Sequence, residues 1–151
     1  NWNLRLIGNG PKQDLSKIKK LIKKFRLDKN IKIIENQVSI DKFLINSDIG
    51  ILTSDEEGFS NSILEYMSFG LCVVATKVGG NEEAIINNDC GYLVGQNDHI
   101  ALAEKLNFLI NNKRIRRRMA NSALKRSLKE FDMENSALKF SSVYNKLLRK
   151  S

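Results

Sequence analysis

The chain has 151 residues, 42% hydrophobic and 28% charged, which suits a soluble globular protein with one ordinary core and too little length for two comfortable domains. Its net charge of +8 invites a phosphate partner, in a nucleotide, a nucleic acid or an anionic membrane surface, although a biased genome also produces chains rich in Lys, Asn and Ile. No apolar run reaches the roughly 18–20 residues of a spanning helix and no signal pattern opens the chain, so a cytoplasmic protein is expected.

In chain order, Asn3-Leu-Arg-Leu-Ile7 reads as a strand ending in the glycine turn Gly8-Asn-Gly-Pro11. So abrupt a start suggests a piece of something longer. Residues 14–27 carry Leu15, Ile18, Leu21, Ile22 and Phe25 at helical spacing, with Asp14 or Ser16 as the cap and lysines facing water. A second strand over residues 31–34 and a short helix over 40–45, turning Phe43 and Leu44 inward, precede a third strand over 48–52. A helix opening at Ser60 or Asn61 leads to a fourth strand, Cys72-Val-Val-Ala75, whose continuous apolar character predicts cover on both faces. Residues 84–86 fit helix or strand. Gly91-Tyr-Leu-Val94 predicts a fifth strand at an edge, and helices follow over residues 99–110, 114–130 and 133–148. The alternation predicts an α/β fold, a doubly wound parallel sheet with additional C-terminal helices. Cys72 reads as a buried thiol and Cys90 as a turn residue, with no disulfide framework. His99, the single histidine, lacks partners for a zinc site.

Ligands of such sheets gather at the carboxyl ends of the strands, where the loops at residues 8–11, 57–61 and 79–81 are expected to converge. Gly8 and Gly10 fit either a bare turn or backbone amides approaching a diphosphate; the third glycine of the dinucleotide fingerprint is Gln13. At the helix opening, Gly58, Phe59, Ser60 and Asn61 offer amides and a positive dipole end to an anion. Glu65 stands in Ser62-x-x-Glu65, a capping-box pattern, yet its apolar neighbours imply a partly buried carboxylate that wants a partner such as two sugar hydroxyls. Glu57 is either half of a solvated acidic pair with Glu56 or a ligand contact at the strand edge. Two glutamates also permit acid–base hydrolysis, but a carboxylate beside an anion-binding helix terminus better suits a nucleotide-sugar.

Glu57-x7-Glu65 with Gly58-Phe59 between and Ser54 before, Val73-Val-Ala-Thr76 after, then Gly79-Gly80-x-x-Glu83 and Gly91-Tyr-Leu-Val94, resembles the carboxyl-terminal domain of retaining glycosyltransferases of family 4. The likeness runs from Gly8-Asn-Gly-Pro11 to the terminal helices. It implies one Rossmann-like half of a GT-B enzyme, with residues 1–151 forming a single donor-binding domain and the last helix packing against an absent amino-terminal domain. It further implies that Glu57 is catalytic and meets the donor sugar, that the amides of Gly58, Phe59 and Ser60 meet sugar or diphosphate, and that Glu65 binds the ribose. Gly10 would lie near the diphosphate and residues 36–38, with Val38, near the base. The donor would be a nucleoside-diphosphate sugar with uridine as base, the acceptor a glycan or lipid-linked molecule, with no metal or other cofactor. The pattern departs from the family where Cys72 replaces a proline. The family's diphosphate-neutralising arginine and lysine are expected upstream of Asn1, so the fragment by itself is expected to be inactive.

Lys113, Arg114, Arg116, Arg117, Arg118, Lys125 and Arg126 form a basic run on a helix whose apolar stripe is Ile115, Met119, Ala123 and Leu124. It reads as a solvated face, or as a weak attachment to an anionic inner-membrane surface. Nucleic acid is not expected, since the aromatics occupy core positions rather than interleaving with the cations. The readings set against a glycosyltransferase are a GT-B-type nucleotide-sugar epimerase, which calls for a catalytic histidine, and a non-catalytic basic binding module.

Overall fold

A computed structural model describes residues 2–37, 39–132 and 141. The chain divides into two compact units, Asn1–Phe43 and Leu44–Ser151.

In the first unit β1 (Leu4–Ile7) pairs in parallel with β2 (Ile31–Ile34), Leu4 opposite Ile31 and Ile7 opposite Ile34. Between them runs α1 (Lys12–Lys24). It begins earlier than a cap at Asp14 or Ser16 would set it. Pro11, at φ −54°, takes the N-cap position, and its carbonyl accepts the amides of Asp14 and Leu15 at 2.9 and 3.1 Å. The proline has no N–H to satisfy and its ring presets the entry angle. Asp14, in the first turn, instead pairs with Lys17 three residues on at 2.9 Å. The helix also stops before residue 27. Arg26 turns left-handed at φ 56°, and the amides of Arg26 and Leu27 return to the carbonyls of Lys23 and Ile22 at 3.0 and 2.9 Å, the Schellman pattern. No residue of α1 is fully buried. Leu21 and Phe25 stay 52% and 61% exposed, so the apolar stripe of this helix is only partly covered.

After the single turn α2 (Asp41–Leu44), which buries Leu44, the second unit holds β3 (Ile49–Leu52), α3 (Asn61–Ser68), β4 (Cys72–Thr76), α4 (Asn81–Ala84), β5 (Gly91–Val94), α5 (His99–Asn111) and α6 (Lys113–Glu130). Its three strands are parallel in the order β3-β4-β5. Among the described residues the strands thus form two parallel sheets, of two and three strands. The expected parallel α/β character and the edge position of β5 are both present.

β4 organises the second unit because every one of its residues is buried. Val73 and Ala75 pack with Ile63, Met67, Ala84, Ile85, Cys90 and Ala123. Cys72 and Val74 pack on the other side with Tyr92, Val94, Leu109 and Met119. The alternation is the two-residue period of a strand covered on both faces. Each fully buried Leu, Ile or Met side chain here contributes about 1.5–3 kcal/mol relative to exposure. Both cysteines are free and buried. The undecided residues 84–86 resolve into the end of α4, followed by Ile85 in extended conformation and 1% exposed.

α6 buries Met119, Ala123 and Ser127, one residue per turn. Its basic run is not simply a solvated face. Arg116 Nη1 donates to the carbonyls of Leu109 and Ile110 at 2.7 and 3.3 Å, closing the C-terminus of α5. Arg126 reaches the carbonyls of Ala84 and Glu83 at 2.9 and 2.7 Å, closing α4, and lies 5.3 Å from the ring of Phe131. Arg118 contacts the Asn88 carbonyl at 3.4 Å. Helix ends leave carbonyls without partners, and guanidinium groups on a neighbouring helix supply them. Lys113, Arg114, Arg117 and Lys125 remain exposed. The helix expected over residues 133–148 lies outside the described residues except for Ser141, which is helical.

Candidate functional site

The site begins where β3 ends. Ser54 Oγ donates to Glu57 Oε1 at 2.6 Å, which curls the loop back and leaves Glu57 half-buried while Glu56 stays exposed. The Ser54 carbonyl accepts from Thr76 Oγ1 at 2.7 Å. The Thr76 carbonyl in turn accepts from Asn81 Nδ2 at 3.0 Å. Gln96 Nε2 holds the Asp55 carbonyl at 2.9 Å.

The loop after β4 packs directly on this turn. Gly80 N–H donates to the Gly58 carbonyl at 2.7 Å. Gly79 stands at φ +47°, and a Cβ there would run into the Glu57 carbonyl oxygen, as one on Gly80 would into that of Gly58. Backbone meets backbone only because neither position carries a side chain. The two loops enclose an open pocket of about 620 Å³ lined by Asp55, Glu56, Glu57, Gly58, Val78 and Gly79. Three carboxylates and no lysine or arginine line it; nearby Lys77 is paired with Glu82 at 3.3 Å.

α3 opens beside this turn. Ser60, extended at φ −82° and 4% exposed, is its N-cap residue and makes no side-chain cap bond; Asn61 is the first helical residue and is exposed. Phe59 packs its ring on Phe131, centroids 5.4 Å apart.

Glu65 differs from expectation on two counts. With the cap at Ser60, a reciprocal box would place its carboxylate at residue 63, so Ser62 and Glu65 do not form one. Glu65 is exposed rather than partly buried, because Ile63 and Met67, two residues to either side, turn inward at 0% exposure and two positions is about 200° around a helix. It lines a second depression, about 270 Å³, with Leu64, Ser68, Ser127, Leu128, Phe131 and Asp132. Glu57 and Glu65 therefore front two separate hollows.

The remaining sequence candidates belong to the first unit. Gly8, at φ +141°, gives its amide to the Ile34 carbonyl at 3.1 Å. Gly10 has open space around it. Asn9 Oδ1 accepts the Asn36 amide at 2.9 Å, tying the loops that follow β1 and β2. Val38 lies outside the described residues. His99 is exposed at the start of α5, its Nδ1 3.4 Å from the Asn97 carbonyl. Among the described residues no three His, Cys, Asp or Glu side chains group closely enough to hold a metal ion, and no helix is long and apolar enough to cross a membrane.

Thr76, Asn81 and Gln96 each donate to a backbone carbonyl, roles that no motif of neighbouring residues marks in the sequence.

Comparison with known proteins agrees with the pattern. Residues 1–126 match the family described as glycosyl transferases group 1. The chain is 28% identical over 146 residues to N-acetyl-alpha-D-glucosaminyl L-malate synthase of Bacillus anthracis, covering 97% of this chain and 38% of the relative. It is 27% identical over 122 residues to the capsular polysaccharide biosynthesis glycosyltransferase CapM of Staphylococcus aureus, covering 81% and 32%. Among solved structures, a glycosyltransferase from Rickettsia africae superposes with a TM-score of 0.90 at 26% identity, covering 100% of this chain and 41% of that one. TarM of S. aureus, solved with fondaparinux, alpha-GlcNAc-glycerol and UDP, superposes with a TM-score of 0.83 at 25% identity, covering 95% and 29%. The fold is the Rossmann-like α/β fold found in one half of GT-B enzymes. The chain spans less than half the length of these relatives, 38% and 32% of the two curated ones. With its matched span, its parallel fold and its Glu57-to-Glu65 segment, the chain belongs to the glycosyl transferases group 1 family.

Proposed function

We propose that this chain is the donor-binding domain of a retaining glycosyltransferase of family 4, which moves a sugar from a uridine diphosphate onto a glycan or lipid-linked acceptor in bacterial surface polysaccharide synthesis. The observation that carries the reading is the pocket between the Glu57–Gly58 turn and Gly79, at the carboxyl ends of β3 and β4, where ligands of parallel sheets bind. Glu57, held by Ser54, accepts hydrogen bonds from sugar hydroxyls. The amides of Gly58, Phe59 and Ser60 and the opening of α3 at Asn61 face the sugar or diphosphate, where the helix dipole favours negative charge. Glu65, exposed on α3, accepts both ribose hydroxyls.

The charge that develops on the departing diphosphate needs cations. The pocket lining has none, so the rest of the enzyme supplies them, and this chain alone is inactive. No metal or other cofactor takes part. The UDP in the related TarM structure and the capsule role of the related CapM support the choice of base and pathway class. The enzyme works in the cytoplasm at the inner membrane face, where the exposed cations of α6 add a weak electrostatic attraction to anionic lipid.

Titration calorimetry of UDP with the full-length protein tests the reading. Glu65→Ala removes hydrogen bonds to a charged acceptor and is expected to weaken UDP about tenfold or more, against less than about twofold for Glu56→Ala. Equal losses, or no binding by the unmodified protein, overturn it.

A further inference from the structure

We propose that Ser54 and Thr76 are positioning residues that set the orientation of the Glu57 carboxylate toward the donor sugar. The proposal rests on the reading that Glu57 meets that sugar. A glutamate in a glycine-containing turn has several rotatable bonds, and nothing in the turn's backbone selects one carboxylate orientation. Ser54 makes that selection: an O–H···O contact of 2.6 Å has the short length of a charge-assisted bond. It occupies Oε1 and leaves Oε2 for a ligand hydroxyl.

Ser54 is itself held from the sheet. Its carbonyl takes the hydroxyl of Thr76 at 2.7 Å, and Thr76 is 6% exposed at the end of β4. The Thr76 carbonyl takes the amide of Asn81, 0% exposed, at 3.0 Å. The run from Asn81 through Thr76 and Ser54 to Glu57 transmits the rigidity of the buried strand to an otherwise loose side chain. Groups packed this way hold a functional carboxylate in one geometry better than a loop does alone.

The test is the affinity of the full-length protein for UDP-glucose and UDP-N-acetylglucosamine, each compared with UDP. Ser54→Ala is expected to weaken whichever UDP-sugar binds by about fivefold to tenfold while UDP changes by less than about twofold; Thr76→Val shifts the ratio the same way, and Ser54→Thr restores it. In a Glu57→Ala background the Ser54→Ala change is expected to add little, since the acceptor that Ser54 orients is gone. Equal losses for UDP and UDP-sugar, or an undiminished Ser54→Ala effect beside Glu57→Ala, mean a purely structural role and overturn the proposal. If the unmodified protein binds neither ligand, the donor reading fails instead, and a crystal structure of Ser54→Ala decides the positioning role. A displaced or multiply oriented Glu57 carboxylate supports it, and an unmoved one overturns it.

Discussion

Gly79 shows how one missing side chain shapes the pocket. It combines φ +47° with a backbone approach to the Glu57 carbonyl that leaves no room for Cβ. Gly79→Ala therefore suffers both left-handed strain and a collision with main chain, which cannot swing aside as a side-chain tip can. We expect a loss of about 2 kcal/mol or more, read by urea denaturation. Gly10 has open space around it, and Gly10→Ala there is expected to cost less than about 1 kcal/mol. The contrast separates a glycine that the close packing of two loops requires from one with open space around it.

At the scale of elements, α6 acts as a clamp on its neighbours. Arg116, whose side chain is 13% exposed, closes α5, and Arg126 closes α4. Replacing either by Ala leaves helix carbonyls without a donor and is expected to cost about 1.5–3 kcal/mol in thermal or urea unfolding. Exposed Arg117→Ala is expected to stay within about 0.5 kcal/mol. The contact of Arg116 with Asp48 at 3.4 Å adds little, because Asp48 is 76% exposed and such pairs are screened. A basic run on a helix thus mixes two populations. Those that find carbonyls are structural, and those that do not are left facing solvent.

For the whole molecule, the buried thiols link stability to pH. Burial pushes the Cys72 thiol from 9.0 up to about 12, although Arg116 opposes this, and burial also raises Cys90 and Tyr66. A raised folded pKa means that folding retains the proton. The stability is complete below about pH 9 and is lost as pH climbs toward 12. Unfolding free energy measured between pH 8 and 10.5 should fall by up to about 1.4 kcal/mol per pH unit per thiol above its unfolded value, and Cys72→Ala should make the decline shallower. Neither thiol should react with an aromatic disulfide reagent until the protein unfolds.

Much of this fold was legible in the chain. Residues 72–75 are buried on both faces as their unbroken apolar run demands, and Gly91–Val94 is the edge strand that its flanking turns suggest. Such features follow from periodicity and from turn chemistry, which are properties of neighbouring residues. The loop bearing Glu57 was equally recognisable, being acidic and glycine-containing directly after a strand. What the tertiary structure alone decided concerns partners distant along the chain. Thr76 and Asn81 hold the Ser54–Glu57 turn, Arg116 and Arg126 are drawn to helix ends, and Glu65 fronts a different hollow from Glu57. Each depends on which carbonyls and faces are left open once strands and helices have packed, and no local pattern encodes that remainder.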